Sequence, residues 1–406
     1  MDGNYKWYID EKVGQIGEEI ALVSEVLSDE DILNIIEDKV FEDGEYIGCK
    51  VDEYYYIISN IFVKLRCKTG MLHYLIEDKE INEIMVNGPY NIFYEKNGQI
   101  FKYNDRFQSA EEVEEIIRKM ASAVHREINE MNPIVDARLE DGSRINGVYS
   151  NVAINGPILT IRKFNKKHMT MEDMVRSNTI TYECCKFLKT LVRCGYNIFV
   201  SGGTSSGKTT FLNALSEAIP KGERVIVIED SAELQMDHIE NLVQMECHGA
   251  NVMGKGQVNM DALIRTSLRM RPDRIIVGEV RGKEVSEMLQ AFNTGHDGSF
   301  STGHGNSITG MLRRLEAMYL MSMNIPIDAI RAQIIEGIDV MLHLGRMADG
   351  SRKLIEISEL LGYEDDRYIL NRLFYLDDNM ELQYTGNKLK SRDKLKLKGN
   401  RDDSRL

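Results

Sequence analysis

The sequence predicts an α/β fold, because short apolar strands and helices alternate along the second half of the chain. From about Ile180 the predicted strands are 197–201, 225–229 and 275–278, and the predicted helices are 208–218, 261–269 and 282–293. A glycine-rich turn joins the first of these strands to the first helix, and an acidic residue ends or follows each of the other two strands. Alternation of this kind is typical of a mostly parallel sheet with helices on its faces.

Length and composition indicate a globular protein of two or three domains. The chain has 406 residues, of which 43% are hydrophobic and 28% charged. No apolar run approaches the ~20 residues that a membrane helix needs. The first residues, Met-Asp-Gly-Asn-Tyr-Lys, lack the basic and apolar regions of a signal peptide. We therefore expect the protein to stay in the cytosol, or to lie against a membrane without crossing it.

The net charge of −14 argues against general nucleic-acid binding. The last twenty residues, 387–406, are basic instead, with eight Lys or Arg and three Asp. We expect this basic tail to be solvated and mobile, and contact with anionic lipid or an acidic partner is the alternative. Six cysteines occur without a Cys-x-x-Cys pair, which argues against a four-cysteine zinc module.

The first half of the chain predicts a helical segment followed by a smaller α+β domain. Apolar residues at helical spacing run through residues 10–40, as expected for an amphipathic bundle or docking arm. Beyond Met71, strands are predicted near 81–86 and 91–96, and Ser109 with Glu112 predicts a capped helix. The segments 135–139 and 144–149, separated by a turn, predict a hairpin.

The turn between strand 197–201 and helix 208–218 has the pattern of a phosphate-binding loop. Residues 202–209 read Gly-Gly-Thr-Ser-Ser-Gly-Lys-Thr, the full Gly-x4-Gly-Lys-Thr pattern. Its glycines let backbone N–H groups surround phosphate oxygens, and the helix start adds a favourable dipole. Lys208 is predicted to bind phosphate and the Thr209 hydroxyl to bind Mg²⁺. The predicted nucleotide-binding residues are Gly202, Gly203, Thr204, Ser205, Ser206, Gly207, Lys208, Thr209 and Thr210.

Acidic residues stand at the ends of the two other strands. Glu229 and Asp230 close strand 225–229, Glu233 follows shortly after, and Glu279 closes strand 275–278. The carboxyl ends of parallel strands gather where ligands bind. Glu279 is predicted to orient or deprotonate the attacking water, and Glu229 or Asp230 to act through Mg²⁺. The alternative is that these acids cap the helices that follow them.

The segment 294–304, Thr-Gly-His-Asp-Gly-Ser-Phe-Ser-Thr-Gly-His, is rich in small residues. Two histidines eight positions apart do not suit a metal pair on one helix, which needs a spacing of four. A helix–glycine–strand passage fits better, with His296 and His304 near the ligand edge of the sheet. A neutral histidine there can donate to a γ-phosphate, although a structural histidine is the alternative.

Three arginines, Arg138, Arg144 and Arg162, lie in the predicted α+β domain. Phosphoryl transfer gains from arginines that close over the γ-phosphate from another domain or subunit. If Asp141-Gly142 is a two-residue turn, Arg138 and Arg144 point to opposite faces of the sheet, whereas a longer loop changes this. A surface position without a function is the alternative for each of them.

Taken in order, these motifs resemble those of the secretion ATPases of the type II/type IV superfamily. The likeness is strongest to the CpaF-type ATPases of Tad (Flp) pilus assembly, and it covers roughly residues 75–360. The segments that carry it are residues 132–146, residues 159–164, the phosphate-binding loop, residues 228–234 (the Asp box), residues 268–281 (Walker B) and residues 293–307 (the His box).

The resemblance implies a C-terminal RecA-like ATPase domain behind an α+β, PAS-like domain. The expected boundaries are 1–70 for the N-terminal helical region, 71–165 for the α+β domain, 166–178 for the linker, 179–364 for the ATPase domain and 365–406 for a C-terminal extension with the basic tail. The residues to which the resemblance gives a catalytic part are Glu279, Glu229, Glu233, His304, Arg144, Arg162 and Arg138.

The resemblance also implies a cofactor and partners. It implies a ring-shaped homo-hexamer that binds ATP with Mg²⁺ between its two domains and hydrolyses it. Hydrolysis is expected to move the domains as rigid bodies and to drive an inner-membrane platform protein of a pilus or secretion machine. The expected location is therefore the cytoplasm, peripheral to the inner face of the membrane.

Other functions are compatible with parts of the pattern. A type IV secretion ATPase for conjugation or effector export belongs to the same class. A nucleic-acid-dependent RecA-like recombinase or helicase is disfavoured by the acidic charge and by the lack of a basic, aromatic groove. A nucleotide-binding scaffold without hydrolysis is disfavoured by the acids at 229, 233 and 279.

Overall fold

The computed structural model describes residues 5–23, 27–42, 50–66, 69–96, 98–164, 169–249 and 256–399. The chain divides between residues 165 and 166 into two compact units. None of the described helices is both long and apolar enough to cross a membrane. Cys49 and Cys67 lie outside the described residues, and the four cysteines within them are free thiols.

The first unit begins with three amphipathic helices, as the helical spacing predicts. Isoleucines from all three, such as Ile16, Ile36 and Ile61, are fully buried against one another. A single turn of 3-10 helix, Gly70–Leu72, leads into a short fourth helix. The helices are α1 (Lys6–Leu22), α2 (Asp29–Glu42), α3 (Val51–Arg66) and α4 (His73–Glu77).

An antiparallel sheet with one covering helix completes the first unit. The strands are β1 (Ile81–Asn87), β2 (Ile92–Lys96), β3 (Gln99–Lys102), β4 (Ile134–Arg138), β5 (Arg144–Val148) and β6 (Ile158–Arg162), in the order β3-β2-β1-β6-β5-β4. Helix α5 (Ala110–Ala123) buries Val113 and Ile117 in the same core as the sheet. Ser109 caps it by accepting a hydrogen bond from the Glu112 amide at 3.3 Å.

The predicted hairpin 135–149 is present, but its turn is longer than two residues. The amide of Leu139 donates to the carbonyl of Ser143 at 2.8 Å, which leaves three residues in the loop. One extra residue shifts the register by one position and changes which side chains share a face. Arg138 therefore pairs with Arg144, and Arg144 pairs with Arg162 on the next strand.

Opposite faces for Arg138 and Arg144 are expected only for a two-residue turn, and that condition is not met. Because cross-strand partners share a face, the longer loop places both arginines on the same face. The three arginines at 138, 144 and 162, here called the arginine row, lie side by side on one face of the first unit's sheet.

The second unit contains a mixed sheet of nine strands in the order β15-β14-β13-β12-β7-β11-β10-β8-β9. The strands are β7 (Ile198–Gly202), β8 (Val225–Glu229), β9 (Leu242–Glu246), β10 (Arg274–Val280), β11 (Phe300–His304), β12 (Val340–Arg346), β13 (Arg352–Glu364), β14 (Arg367–Leu376) and β15 (Leu382–Tyr384). Strands β12, β7, β11, β10, β8 and β9 are parallel, and β13, β14 and β15 run antiparallel.

Helices of the second unit belong to two separate hydrophobic cores. Strand β7 sends Ile198 and Val200 into one core and Phe199 into the other, so the parallel strands are buried on both faces. The helices of the first core are α6 (Met171–Arg176), α7 (Tyr182–Cys194), α8 (Lys208–Ser216) and α13 (Asp393–Lys398). Those of the second core are α9 (Met260–Ser267), α10 (Val285–Phe292), α11 (Ile308–Leu320) and α12 (Ile327–Gly337). The predicted α/β fold is confirmed.

The described part of the basic tail is packed, although the sequence predicts a mobile end. Leu389 and Leu395 are buried in the first of these cores. The Lys394 ammonium lies 2.8 Å from a carboxylate oxygen of Asp297 and 2.7 Å from one of Asp339. Local composition missed this, because both the apolar surface and the acidic partners come from distant parts of the chain.

Asn197 joins the loops at the edge where the parallel strands begin. Its side chain is 2% exposed. Its Nδ2 donates to the carbonyl of Gly337 at 3.0 Å, and its Oδ1 accepts from the amides of Gly298 and Ser299 at 2.9 and 3.0 Å. These bonds connect the start of β7 to the segments that enter β11 and β12. Asn197 therefore aligns the three strands where they begin.

We predict that Asn197→Ala lowers the free energy of unfolding by about 3 kcal/mol, because it leaves buried backbone groups without partners. Urea denaturation of the full chain followed by circular dichroism measures the loss. The exposed Asn104→Ala is the matched control and is expected to unfold as the wild type does. Equal stability of the two variants would contradict the role given to Asn197.

Candidate active site

The phosphate-binding loop lies between β7 and α8, in the predicted context. A Cβ at Gly202 would lie 2.5 Å from the Ser206 hydroxyl and 2.6 Å from the carbonyl oxygen of Leu344. Only glycine fits there without displacing backbone. Gly207 precedes α8 with a φ of 90°, a left-handed conformation that also favours glycine. The loop thus turns tightly into the start of a helix, the arrangement that binds phosphate.

Lys208 is the first residue of α8 and is largely buried, with 8% exposure. Its ammonium donates to the carbonyl oxygen of Gly203 at 2.9 Å and to that of Gly202 at 3.3 Å. It also lies 3.3 Å from Nδ1 of His304. Burial lowers the pKa of Lys208, because the charged form loses hydration. The ammonium is thus held at the mouth of the phosphate-binding loop.

The parallel register brings the predicted histidine and acids beside this loop. His304 pairs with Gly202 across β11 and β7, and β10 and β8 follow as the next two strands. Between Val277 and Val280, β10 has one more residue than its partner β11. Glu279 lies in this bulge, a feature that redirects side chains at the edges of active sites. Three neighbouring strands therefore end in functional groups on one edge of the sheet.

Lys208, His304, Glu279 and Arg281 form a continuous series of contacts, here called the polar chain. Nε2 of His304 lies 2.7 Å from one carboxylate oxygen of Glu279. Arg281 donates to the other oxygen at 2.8 Å from a terminal nitrogen and at 3.2 Å from Nε. Arg281 thereby holds one carboxylate oxygen of Glu279, and the other oxygen lies next to His304.

Burial and the nearby Lys208 ammonium lower the pKa of His304, although Glu279 opposes this shift. The imidazole is accordingly neutral near pH 7. Because an ammonium can only donate, Nδ1 accepts from Lys208, and the ring proton of the neutral imidazole then lies on Nε2, the nitrogen next to Glu279. A neutral histidine thus separates a cation from a carboxylate.

The acids that follow β8 have a different environment. Glu229 is 4% exposed, and its carboxylate accepts from the amides of Glu233 and Leu234 at 3.0 and 3.1 Å. Burial raises the pKa of Glu229 to about 7. Asp230 is exposed and lies 3.8 Å from Arg281. Glu229 thus stabilises the turn that carries Glu233. A role of Glu229 and Glu233 in hydrolysis stays a prediction.

A cleft of about 500 Å³ opens beside the phosphate-binding loop. The residues that line it are Gly203, Thr204, Arg281, His304, Gly305, Asn306, Gly310 and Arg314. Neither Glu229 nor Glu233 is among these described lining residues. Sequence reasoning missed Asn306, Gly310 and Arg314. The signal that could have found Arg314 is a pair of arginines on the helix that directly follows the His box.

His296 lies elsewhere. It precedes β11, whereas His304 ends that strand, so the two histidines lie at opposite edges of the sheet. Nδ1 of His296 lies 3.0 Å from the carbonyl oxygen of Ala291, a hydrogen bond that closes the turn after α10. The prediction that both histidines lie near the ligand edge is therefore wrong for His296. The arginine row lies on the sheet of the first unit.

The residues present fit a magnesium ion that is held mainly by its nucleotide. Among the described side chains, no three His, Cys, Asp or Glu are grouped so as to hold a metal. Thr209 follows Lys208 at the start of α8 and offers one hydroxyl. Mg²⁺ commonly takes one or two protein ligands and completes its shell with phosphates and water.

We predict that the free energy of unfolding of the wild type falls as the pH rises, and that Glu229→Gln removes this fall. Because the pKa of Glu229 is raised by folding, its contribution is complete below about pH 4.5 and is lost as the pH rises through about 7. Glutamine keeps an acceptor for the two amides and cannot ionise. Between pH 5 and pH 8 the wild type should lose on the order of 2–3 kcal/mol more than the variant.

Thermal unfolding at the two pH values measures this difference, with the exposed Glu240→Gln as the matched control. A Glu229→Gln chain that loses as much stability as the control would contradict the environment described for Glu229.

Comparisons with known proteins agree on one family. The model of the family described as "Type II/IV secretion system protein" matches residues 67–349. The conjugal transfer protein TrbB of Rhizobium radiobacter is 32% identical over 298 residues, which cover 72% of this chain and 88% of that protein. An uncharacterized protein of Methanocaldococcus jannaschii is 40% identical over 259 residues, which cover 60% of this chain but only 35% of that protein.

The fold is shared with a solved structure, that of the pilus retraction motor PilT with bound ADP. The TM-score is 0.53 at 19% identity, over 80% of this chain and 86% of that one. At this identity the likeness concerns the fold alone. The family model spans more than half of the chain, and the expected superfamily is confirmed. The chain belongs to the type II/IV secretion system protein family and is an ATPase of that family.

Proposed function

We propose that this chain hydrolyses ATP as a homo-hexameric motor that powers Tad (Flp) pilus assembly, or protein secretion, through an inner-membrane platform. One observation carries the proposal of hydrolysis, and it lies at the edge of the phosphate-binding loop. The Lys208 ammonium lies 3.3 Å from Nδ1 of the neutral His304, and Nε2 of His304 lies 2.7 Å from a carboxylate oxygen of Glu279. This arrangement places a phosphate-binding cation and a carboxylate within one cluster.

In this proposal residues 202–210 surround the phosphates of ATP with backbone amides. Lys208 binds phosphate oxygens, for which its position at the mouth of the loop suits it. The Thr209 hydroxyl holds Mg²⁺, which neutralises phosphate charge when it is bound. The buried surroundings of Lys208 strengthen its attraction for phosphate, because little water competes there.

Glu279 is the proposed base or orienter of the attacking water. Arg281 neutralises part of its charge and holds one carboxylate oxygen. Nε2 of His304 lies 2.7 Å from the other oxygen. A positioned general base contributes roughly 10²–10⁴ in rate. Glu229 and Glu233 support this edge through the turn after β8.

The arginine row supports a role in binding anions. It places three guanidinium groups side by side on one face of the first unit's sheet, where they can act together on one anion. We propose that the row closes on the phosphates of ATP bound to a neighbouring subunit, as arginines do in other phosphoryl-transfer enzymes.

The proposed location is the cytoplasmic face of the inner membrane, where platform proteins of the machine are reached. The alternative is a type IV secretion ATPase for conjugation or effector export. The relationship to TrbB, whose name describes a conjugal transfer protein, favours this alternative enough to test it. A nucleic-acid-dependent ATPase is disfavoured by the net charge of −14.

We predict that Glu279→Gln retains ATP binding and lowers kcat by about 100-fold or more, because it removes the general base. Lys208→Ala is expected to abolish ATP binding, because it removes the cation of the phosphate-binding loop. Steady-state phosphate release measures kcat, and calorimetry with Mg²⁺ and ATP measures binding. The exposed Glu240→Gln should behave as the wild type, and normal turnover in Glu279→Gln would refute the role of Glu279.

In cells that carry the gene, we predict that a chromosomal Lys208→Ala substitution removes surface pili, because the proposed motor powers their assembly. Electron microscopy counts the filaments, and a mating assay measures DNA transfer in the same strain. Normal filaments with lost DNA transfer would favour the conjugation ATPase instead. Purified protein whose ATPase is stimulated many-fold by single-stranded DNA would contradict both readings.

A further inference from the structure

Two arginines, Arg281 and Arg314, line the cleft beside the phosphate-binding loop, and they differ in their acidic partners. The charge of Arg281 is met by Glu279 at 2.8 Å and more loosely by Asp230 at 3.8 Å. Arg314 makes no hydrogen bond and no ion pair with any of the residues that the structure describes. The cleft therefore contains one guanidinium whose charge the described protein does not balance.

The helix that carries Arg314 is held firmly. Ser307 caps the start of α11 by accepting from the amide of Gly310 at 3.0 Å. Leu312 and Leu315, on either side of Arg314, are fully buried. Glu316 on the same helix accepts hydrogen bonds from Arg331 at 3.0 Å and from the Tyr368 hydroxyl at 2.7 Å. The part of α11 that carries Arg314 is thus held on two sides, and the exposed Arg314 side chain lines the cleft from it.

Arg313 provides a built-in comparison. It is exposed on the same helix, one residue earlier. Successive residues of an α-helix point about 100° apart. Arg313 is not among the described residues that line the cleft, whereas Arg314 is. The two arginines therefore share charge, exposure and helix context and differ in the direction they face.

The charge of Arg314 reaches the active-site edge. Together with burial and Lys208, it contributes to lowering the pKa of His304, which lines the same cleft. Gly203 and Thr204 of the phosphate-binding loop line the same cleft. An anion in this cleft would thus lie between the loop, His304 and Arg314.

We propose that Arg314 binds the terminal phosphate of the nucleotide, within the same chain as the phosphate-binding loop. The inference rests on the proposed function, because it takes ATP as the ligand of that loop. A guanidinium can donate two parallel hydrogen bonds to phosphate oxygens, which a lysine cannot match. The terminal phosphate is the one assigned because Arg314 shares the cleft with His304, which contacts the proposed base Glu279.

The test compares Arg314→Ala, Arg314→Lys and the control Arg313→Ala in the full chain. Calorimetry with Mg²⁺ measures binding of ADP and of adenylyl imidodiphosphate, an analogue of ATP that is not hydrolysed. Arg314→Ala should weaken binding of the analogue by roughly ten-fold relative to Arg313→Ala, the usual loss for a charge-assisted hydrogen bond. Binding of ADP should stay within about two-fold, since ADP lacks the terminal phosphate. Arg314→Lys should fall between the wild type and Arg314→Ala.

Equal weakening of ADP and the analogue would overturn the assignment to the terminal phosphate. Equal behaviour of Arg314→Ala and Arg313→Ala would overturn the inference as a whole. Lys208→Ala, measured alongside, keeps the two proposals distinguishable. If it still binds the analogue, the proposed function fails; if it does not, a negative result at Arg314 concerns Arg314 alone.

Discussion

The parallel register of β7, β11, β10 and β8 is the constraint on which the candidate site depends. It places the ends of four neighbouring strands at one edge, where Gly202, His304 and Glu279 meet. A strand that slips by one residue turns every side chain to the other face. Asn197, at the opposite edge, ties the start of β7 to the segments that enter β11 and β12. The alignment of the active edge is thus set where the strands begin.

Electrostatics at this edge follow from burial. Removing water from Lys208 and His304 lowers both pKa values, and the histidine remains neutral between a cation and a carboxylate. A neutral ring can accept from Lys208 through Nδ1, which a protonated ring cannot do. The same burial keeps Glu229 protonated at a higher pH than an exposed glutamate.

In the first unit, the length of one loop determines which side chains share a face of the sheet. In the second unit, strand register has the same effect. One residue more in the turn after Arg138 brings three arginines onto a single face of the sheet. Glu83 on β1 pairs with Arg162 at one end of this row, so the row borders an acidic residue.

The sequence by itself determined the family, the α/β class, the phosphate-binding loop and the strands that carry Glu229, Glu279 and His304, because these depend on local patterns. Only the tertiary structure decided the shared face of the arginines, the burial of Glu229, the far position of His296 and the place of Arg314 in the cleft. These depend on register, on loop length and on contacts between residues far apart in the chain. A local pattern predicts an element, whereas the direction of each side chain is set by what the rest of the fold packs against it.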